Sequence, residues 1–119
     1  MRDEKTELRL RTKQYALQII RLYEKLPAKT VAQVIGRQLL RSGTSVGANF
    51  REAHRARSTA EFISKLGDCL KELEETAYWL ELLADAGVVA ASAIAAPADE
   101  TNQLTAILTS IVKKLKAKL

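Results

Sequence analysis

Apolar residues in the first part of this 119-residue chain return at helical spacing: Leu8, Tyr15, Ile19, Leu22 and Leu26 lie seven, four, three and four positions apart. That spacing sets them on one stripe of an α-helix, whereas the inward residues of a strand alternate. It predicts a first helix from about Thr6 to Lys25, ended by Pro27, because proline disfavours helix in the residue before it. No alternating run of β-branched residues is long enough for a strand. Only 5 Gly and 2 Pro interrupt a chain rich in Ala, Leu, Glu, Lys and Arg. The fold class expected is all-α.

Punctuation divides the rest. Thr30 and Gln33 have the spacing of a capping box and open a second helix running to about Ala56, with Val31, Val34, Ile35, Leu39, Val46 and Phe50 as its apolar contacts. Gly36, Gly43 and Gly47 share one face of it. Each costs about 1 kcal/mol against alanine inside a helix. A neighbouring helix passing very close explains them better than a break near Gly43, since no proline or turn cluster accompanies them. Ser58 and Glu61 form the clearest boundary, and the third helix runs from Thr59 to Asp85 on a stripe of Phe62, Leu66, Cys69, Leu73, Leu80 and Leu83. Gly87 suits the left-handed stop. Leu104, Ile107, Leu108, Ile111, Val112 and Leu115 mark a fourth helix, which starts after a Ser92 cap or at Pro97. Four amphipathic helices with short connections predict an antiparallel up-down-up-down four-helix bundle, as one domain over residues 1–119.

The formal charge is +5 and the pI about 9.5, which favours nucleic-acid or acidic partners. A lone cysteine, no secretory leader and no apolar run near the roughly 20 residues that span a bilayer point to a cytoplasmic chain without membrane contact.

Polar residues also recur at helical spacing. Ser45, Asn49 and Glu52 lie on the second helix; Glu72, Glu75 and Trp79 lie on the third. In an antiparallel hairpin the two sets would meet, with Asn49 satisfying Glu72 or Glu75, as an internal or interface network that fixes register. Contact with a ligand or nucleic acid, or plain solvation, are the alternatives. A di-metal bundle needs two Glu-x-x-His motifs, and this chain has one histidine, His54, two residues after Glu52. His54 reads as a surface residue and Cys69 as a small core hydrophobe. Gly43-Thr-Ser-Val-Gly47 lacks the lysine of a phosphate loop. No nucleophile, base or metal constellation is evident, so neither a reaction nor a cofactor is expected.

The segments SVGANFREAHRARS, EFISKL and KELEETAYWLELL resemble the bacterial four-helix-bundle proteins first noticed in intervening sequences of 23S ribosomal RNA genes. The spacings Ser45…Asn49…Glu52 and Glu72…Glu75…Trp79-Leu80 carry most of that resemblance. The stretch 90–98 is poorer in acidic residues than the family pattern. The resemblance implies a left-handed bundle that forms a homo-oligomer, commonly a pentamer, with no known enzymatic activity. Trp79 and the Gly43/Gly47 face are the candidate contacts between copies.

Arg37, Arg41, Arg51 and Arg55 repeat at four, ten and four, and Arg57 follows them. Arg9, Arg11, Lys13 and Arg21 form a second group on the first helix. The expected function is a non-enzymatic oligomeric bundle holding RNA or DNA phosphates on the first group with little sequence preference. The alternative is an assembly module that binds protein, its arginines paired with carboxylates.

Overall fold

The computed structural model describes residues 3–119. Four helices follow one another: α1 Glu4–Glu24, α2 Thr30–Ala53, α3 Thr59–Asp85 and α4 Ala91–Lys116. Each packs on its neighbours in sequence, and α4 closes the ring against α1 along a shorter seam. The pairings show that neighbours are antiparallel. Thr12 faces Gly47 and Ile19 faces Gly43, while Cys69 reaches the Val46 carbonyl and Thr76 reaches Ser42.

The boundaries have local causes. Asp3 caps α1 by accepting the Thr6 N–H at 2.8 Å, with Glu4 and Glu7 in the favourable first turn. The helix therefore starts at Glu4, one half-turn before the expected Thr6. Ser58 accepts the Glu61 N–H at 3.1 Å, as its capping box requires. Gly87, at φ 72°, ends α3: the Val88 N–H reaches the Leu83 carbonyl at 3.0 Å and the Gly87 N–H reaches Ala84 at 3.0 Å, a Schellman closure.

Four expectations need correction. Thr30 is not a cap. Lys29 holds that position without a side-chain bond, so Thr30 lies inside the first turn. Gln33 instead bonds the Pro27 carbonyl at 3.2 Å and accepts the Tyr23 hydroxyl at 3.3 Å. Helix α2 ends at Ala53 rather than Ala56, and His54 closes it. Val31 and Val34 are 55% and 56% exposed, because they share the outward strip of Gln38 and Arg41. Helix α4 uses neither expected start. It begins at Ala91 and runs through a buried Pro97, a placement that costs a helix interior about 3 kcal/mol. Burial of Ile94 and Ala98 against the core offsets that cost.

The stripe Leu8, Tyr15, Ile19, Leu22 and Leu26 is buried throughout, as are Leu66, Cys69, Leu73, Leu80 and Leu83 of α3. The glycine face of α2 packs on α1, without a break. A Cβ placed on Gly43 would meet Ile19 Cγ1 at 2.8 Å, and one on Gly47 would meet the Thr12 carbonyl oxygen at 3.4 Å. Gly43 and Gly47 are thus used inside the subunit and are not open to a second copy.

A polar layer crosses the core. All four helices contribute buried hydroxyls: Tyr15, Ser42, Thr76 and Thr101 form the layer, and Thr12 of α1, also buried, donates instead to the Arg9 carbonyl of its own helix at 3.2 Å. Tyr15 and Thr101 share a bond of 2.6 Å, and Thr76 donates to Ser42 at 2.8 Å. Burial pushes the Tyr15 phenol up to about 12. Buried hydroxyls are tolerated only when paired, so these bonds hold the register of α1 against α4 and of α2 against α3.

Candidate functional site

The polar faces of α2 and α3 meet, but around Arg41. Its guanidinium bonds Glu72 at 3.0 Å and also bonds Glu75, which in turn accepts the Trp79 indole N–H at 3.3 Å. The pairing with Glu75 raises the Arg41 pKa, and the Arg41 bond holds the Glu75 carboxyl below its usual range. Ser45 donates to the Arg41 carbonyl at 2.7 Å. With Arg41 46% exposed, each pair contributes only about 0–1 kcal/mol. What the cluster does is withdraw Arg41 from any external anion.

Asn49 and Glu52 do not join it. The register set by Cys69 against Val46 carries them past Glu72 toward the Ser58 end. Asn49 is half-buried and Glu52 exposed, and neither side chain has a hydrogen bond among the described residues.

The remaining arginines separate. Arg37 sits near the start of α2, about 24 Å along the helix from its last residue, Ala53, at 1.5 Å per residue. Arg51, Arg55 and Arg57 lie at the other end of the bundle, where α4 also terminates. There Arg57 and Leu115 line one cavity, and Lys113, Lys114, Lys116 and Lys118 surround Leu115 in sequence. All seven cations are exposed and lack an ion pair among the described residues. The lysines were legible in the sequence as a helix terminus that suits cations. Their convergence with the arginines was not, because it depends on α2 and α4 pointing the same way.

His54 sits at this end too, half-buried rather than on the surface. Its ring meets Phe50 edge-on at 4.6 Å and lies 5.4 Å from Phe62. Its Nε2 is buried without a partner among the described residues. Burial first, then the charges of Lys5 and Arg9, lowers its pKa. The unfolded chain therefore takes up this proton at higher pH than the folded one. The stability from neutral His54 is complete above the unfolded value of about 6.5 and is lost as pH falls through the lower folded value. The urea midpoint of the wild type should drop as pH falls below about 6.5, and His54→Phe should drop less. Equal drops would show that His54 does not carry the effect.

Cys69 is buried 3.6 Å from the Val46 carbonyl, and burial pushes its thiol to about 12. A thiol so placed is packing, not a nucleophile. No group of three or more His, Cys, Asp or Glu side chains able to hold a metal occurs among the described residues. No helix among them is long and apolar enough to cross a membrane.

A family profile described as the 23S rRNA-intervening sequence protein matches residues 4–110. The chain belongs to that family. A solved structure of a protein of unknown function from the S23 ribosomal protein family of Bacteroides thetaiotaomicron is similar to this intervening-sequence protein at 39% identity, with a TM-score of 0.83, over 88% of this chain and 97% of that one. No curated protein matches it. This intervening-sequence protein therefore shares its bundle and its length with that solved relative, whose function is unknown.

Proposed function

We propose that this bundle catalyses no reaction, that it assembles with copies of itself, and that its basic end holds nucleic-acid phosphates with little regard to sequence. One observation carries the reading: Arg51, Arg55, Arg57, Lys113, Lys114, Lys116 and Lys118 share the end of the bundle where α2 and α4 terminate, exposed and unpaired among the described residues. Unpaired guanidinium and ammonium groups gain from phosphate by releasing counterions, and this gain carries no sequence information. Aromatic rings do not interleave with them, so bases are not stacked and read. The S23 ribosomal description of the solved relative is in keeping with RNA as the polyanion. Exposed Val31, Val34 and Tyr78 give the outward faces of α2 and α3 apolar surface for contact between copies. A pentamer, which the family resemblance implies, would repeat the basic end five times and multiply a weak individual affinity.

The test is Arg55→Glu with Arg57→Glu, titrated with unrelated RNA and DNA sequences over a range of salt. Wild type should bind all of them, with affinity falling steeply as salt rises. The double variant should bind every sequence more weakly and flatten the log–log salt slope by about 2, one unit per lost phosphate contact. Arg41→Gln, which lacks a free guanidinium to lose, should leave binding unchanged. Absence of wild-type binding at about 50 mM salt overturns the proposal. So does light scattering in which the double variant falls to the 13.2 kDa single chain, since the arginines would then hold copies together.

A further inference from the structure

The seam between α1 and α4 is closed at one end and open at the other. Arg11 bonds Glu100 at 2.8 Å and Gln103 at 2.8 Å, and Tyr15 bonds Thr101, all on the half toward the start of α1. Toward the start of α4 the facing side chains shrink to Ala93 and Ala96, and the helices leave a cavity of about 380 Å³. That volume falls within the usual range for small-molecule sites, about 300–1,000 Å³. Leu22, Leu26, Val89 and Pro97 make it apolar, while Arg21 and Lys25 line it from α1. Both cations are exposed and have no ion pair among the described residues. Pro97 has no N–H, so the Ala93 carbonyl beside it lacks the donor a regular helix would supply four residues on.

An apolar slot bearing two unpaired cations suits a ligand with an apolar body and an anionic head. We infer that the α1–α4 seam binds a small anionic amphiphile, its hydrocarbon body against Leu22, Leu26 and Pro97 and its acid group against Arg21 and Lys25. The site is separate from the basic end, since Arg21 and Lys25 lie in the last turns of α1 and Arg55 and Arg57 follow the last turn of α2. It therefore stands or falls independently of nucleic-acid binding.

Calorimetric titration of the full chain with octanoate, 1-octanol and octylamine tests it. Octanoate should bind saturably at one site per chain. Arg21→Gln with Lys25→Gln, both exposed and outside the core, should weaken octanoate by about tenfold or more, the usual size for loss of a charge-assisted contact, and leave 1-octanol unchanged. Ala93→Phe, also at an exposed position, should fill the slot and abolish binding. Arg55→Glu with Arg57→Glu should bind octanoate as wild type does. The inference is overturned if octanoate fails to bind, if octylamine or 1-octanol binds as tightly, if the neutralised pair retains full affinity, or if the charge reversal at the basic end removes octanoate binding.

Discussion

Gly43→Val will cost about 3 kcal/mol, at the upper end of what overpacking usually does. A Cβ at Gly43 meets Ile19 Cγ1 at 2.8 Å, Cγ2 at 2.9 Å and Cβ at 3.1 Å. The third of these is the branch point of a fully buried side chain, so no rotation of a flexible tip relieves it. Either α1 moves away from α2 or Ile19 leaves its rotamer, and Thr12 against Gly47 resists the first. Gly67 is the control. It too lies within a helix, but a Cβ there meets nothing within 4 Å. Gly67→Ala will stabilise the bundle by about 1 kcal/mol, the ordinary difference in helix propensity. Denaturant unfolding of both variants checks the contrast. A Gly43→Val chain that unfolds at the wild-type midpoint would mean that α1 and α2 are not in close contact there.

Phe50→Ala will cost more, about 3–5 kcal/mol. Phe50 is 2% exposed. Its ring closes one side of a cavity of about 240 Å³ shared with Leu8, Phe62, Leu66 and Ile111. Neighbours that already leave this space open will not collapse into a larger one. The loss should therefore reach the upper half of the range, and Phe50→Leu should cost less. An alanine variant within about 1 kcal/mol of wild type would show that the end of the bundle repacks freely.

The sequence made the four helices legible because their apolar stripes and the Ser58–Glu61 cap act locally. It also revealed the glycine face, since three glycines inside one helix demand a close neighbour. Pro97 misled because local propensity there yields to burial. The hydroxyl layer was visible only as gaps in the stripes, at Ser42, Thr76 and Thr101, and a gap does not say what fills it. The candidate site was read less well. Spacing placed Glu72, Glu75 and Trp79 together and put Asn49 opposite them, but register brings Arg41 there instead. Helix register across a hairpin is a tertiary quantity, and one turn changes the partner. For the same reason the basic end was not legible as one site: the α2 arginines and the α4 lysines lie more than 50 residues apart in the sequence.

The structure extends 47 Å along its longest axis, while mobile ions damp electric fields over about 8 Å at physiological salt. The two ends are therefore electrically strangers. The net charge of +5 describes neither of them. A polyanion arriving from solution feels the cluster at the close of α2 and α4 and is indifferent to the charges at the far end. Such a field acts chiefly on the speed and orientation of encounter. Charge substitutions near Arg37 or Asp85 should therefore leave association rates unchanged, and those near Arg57 should change them.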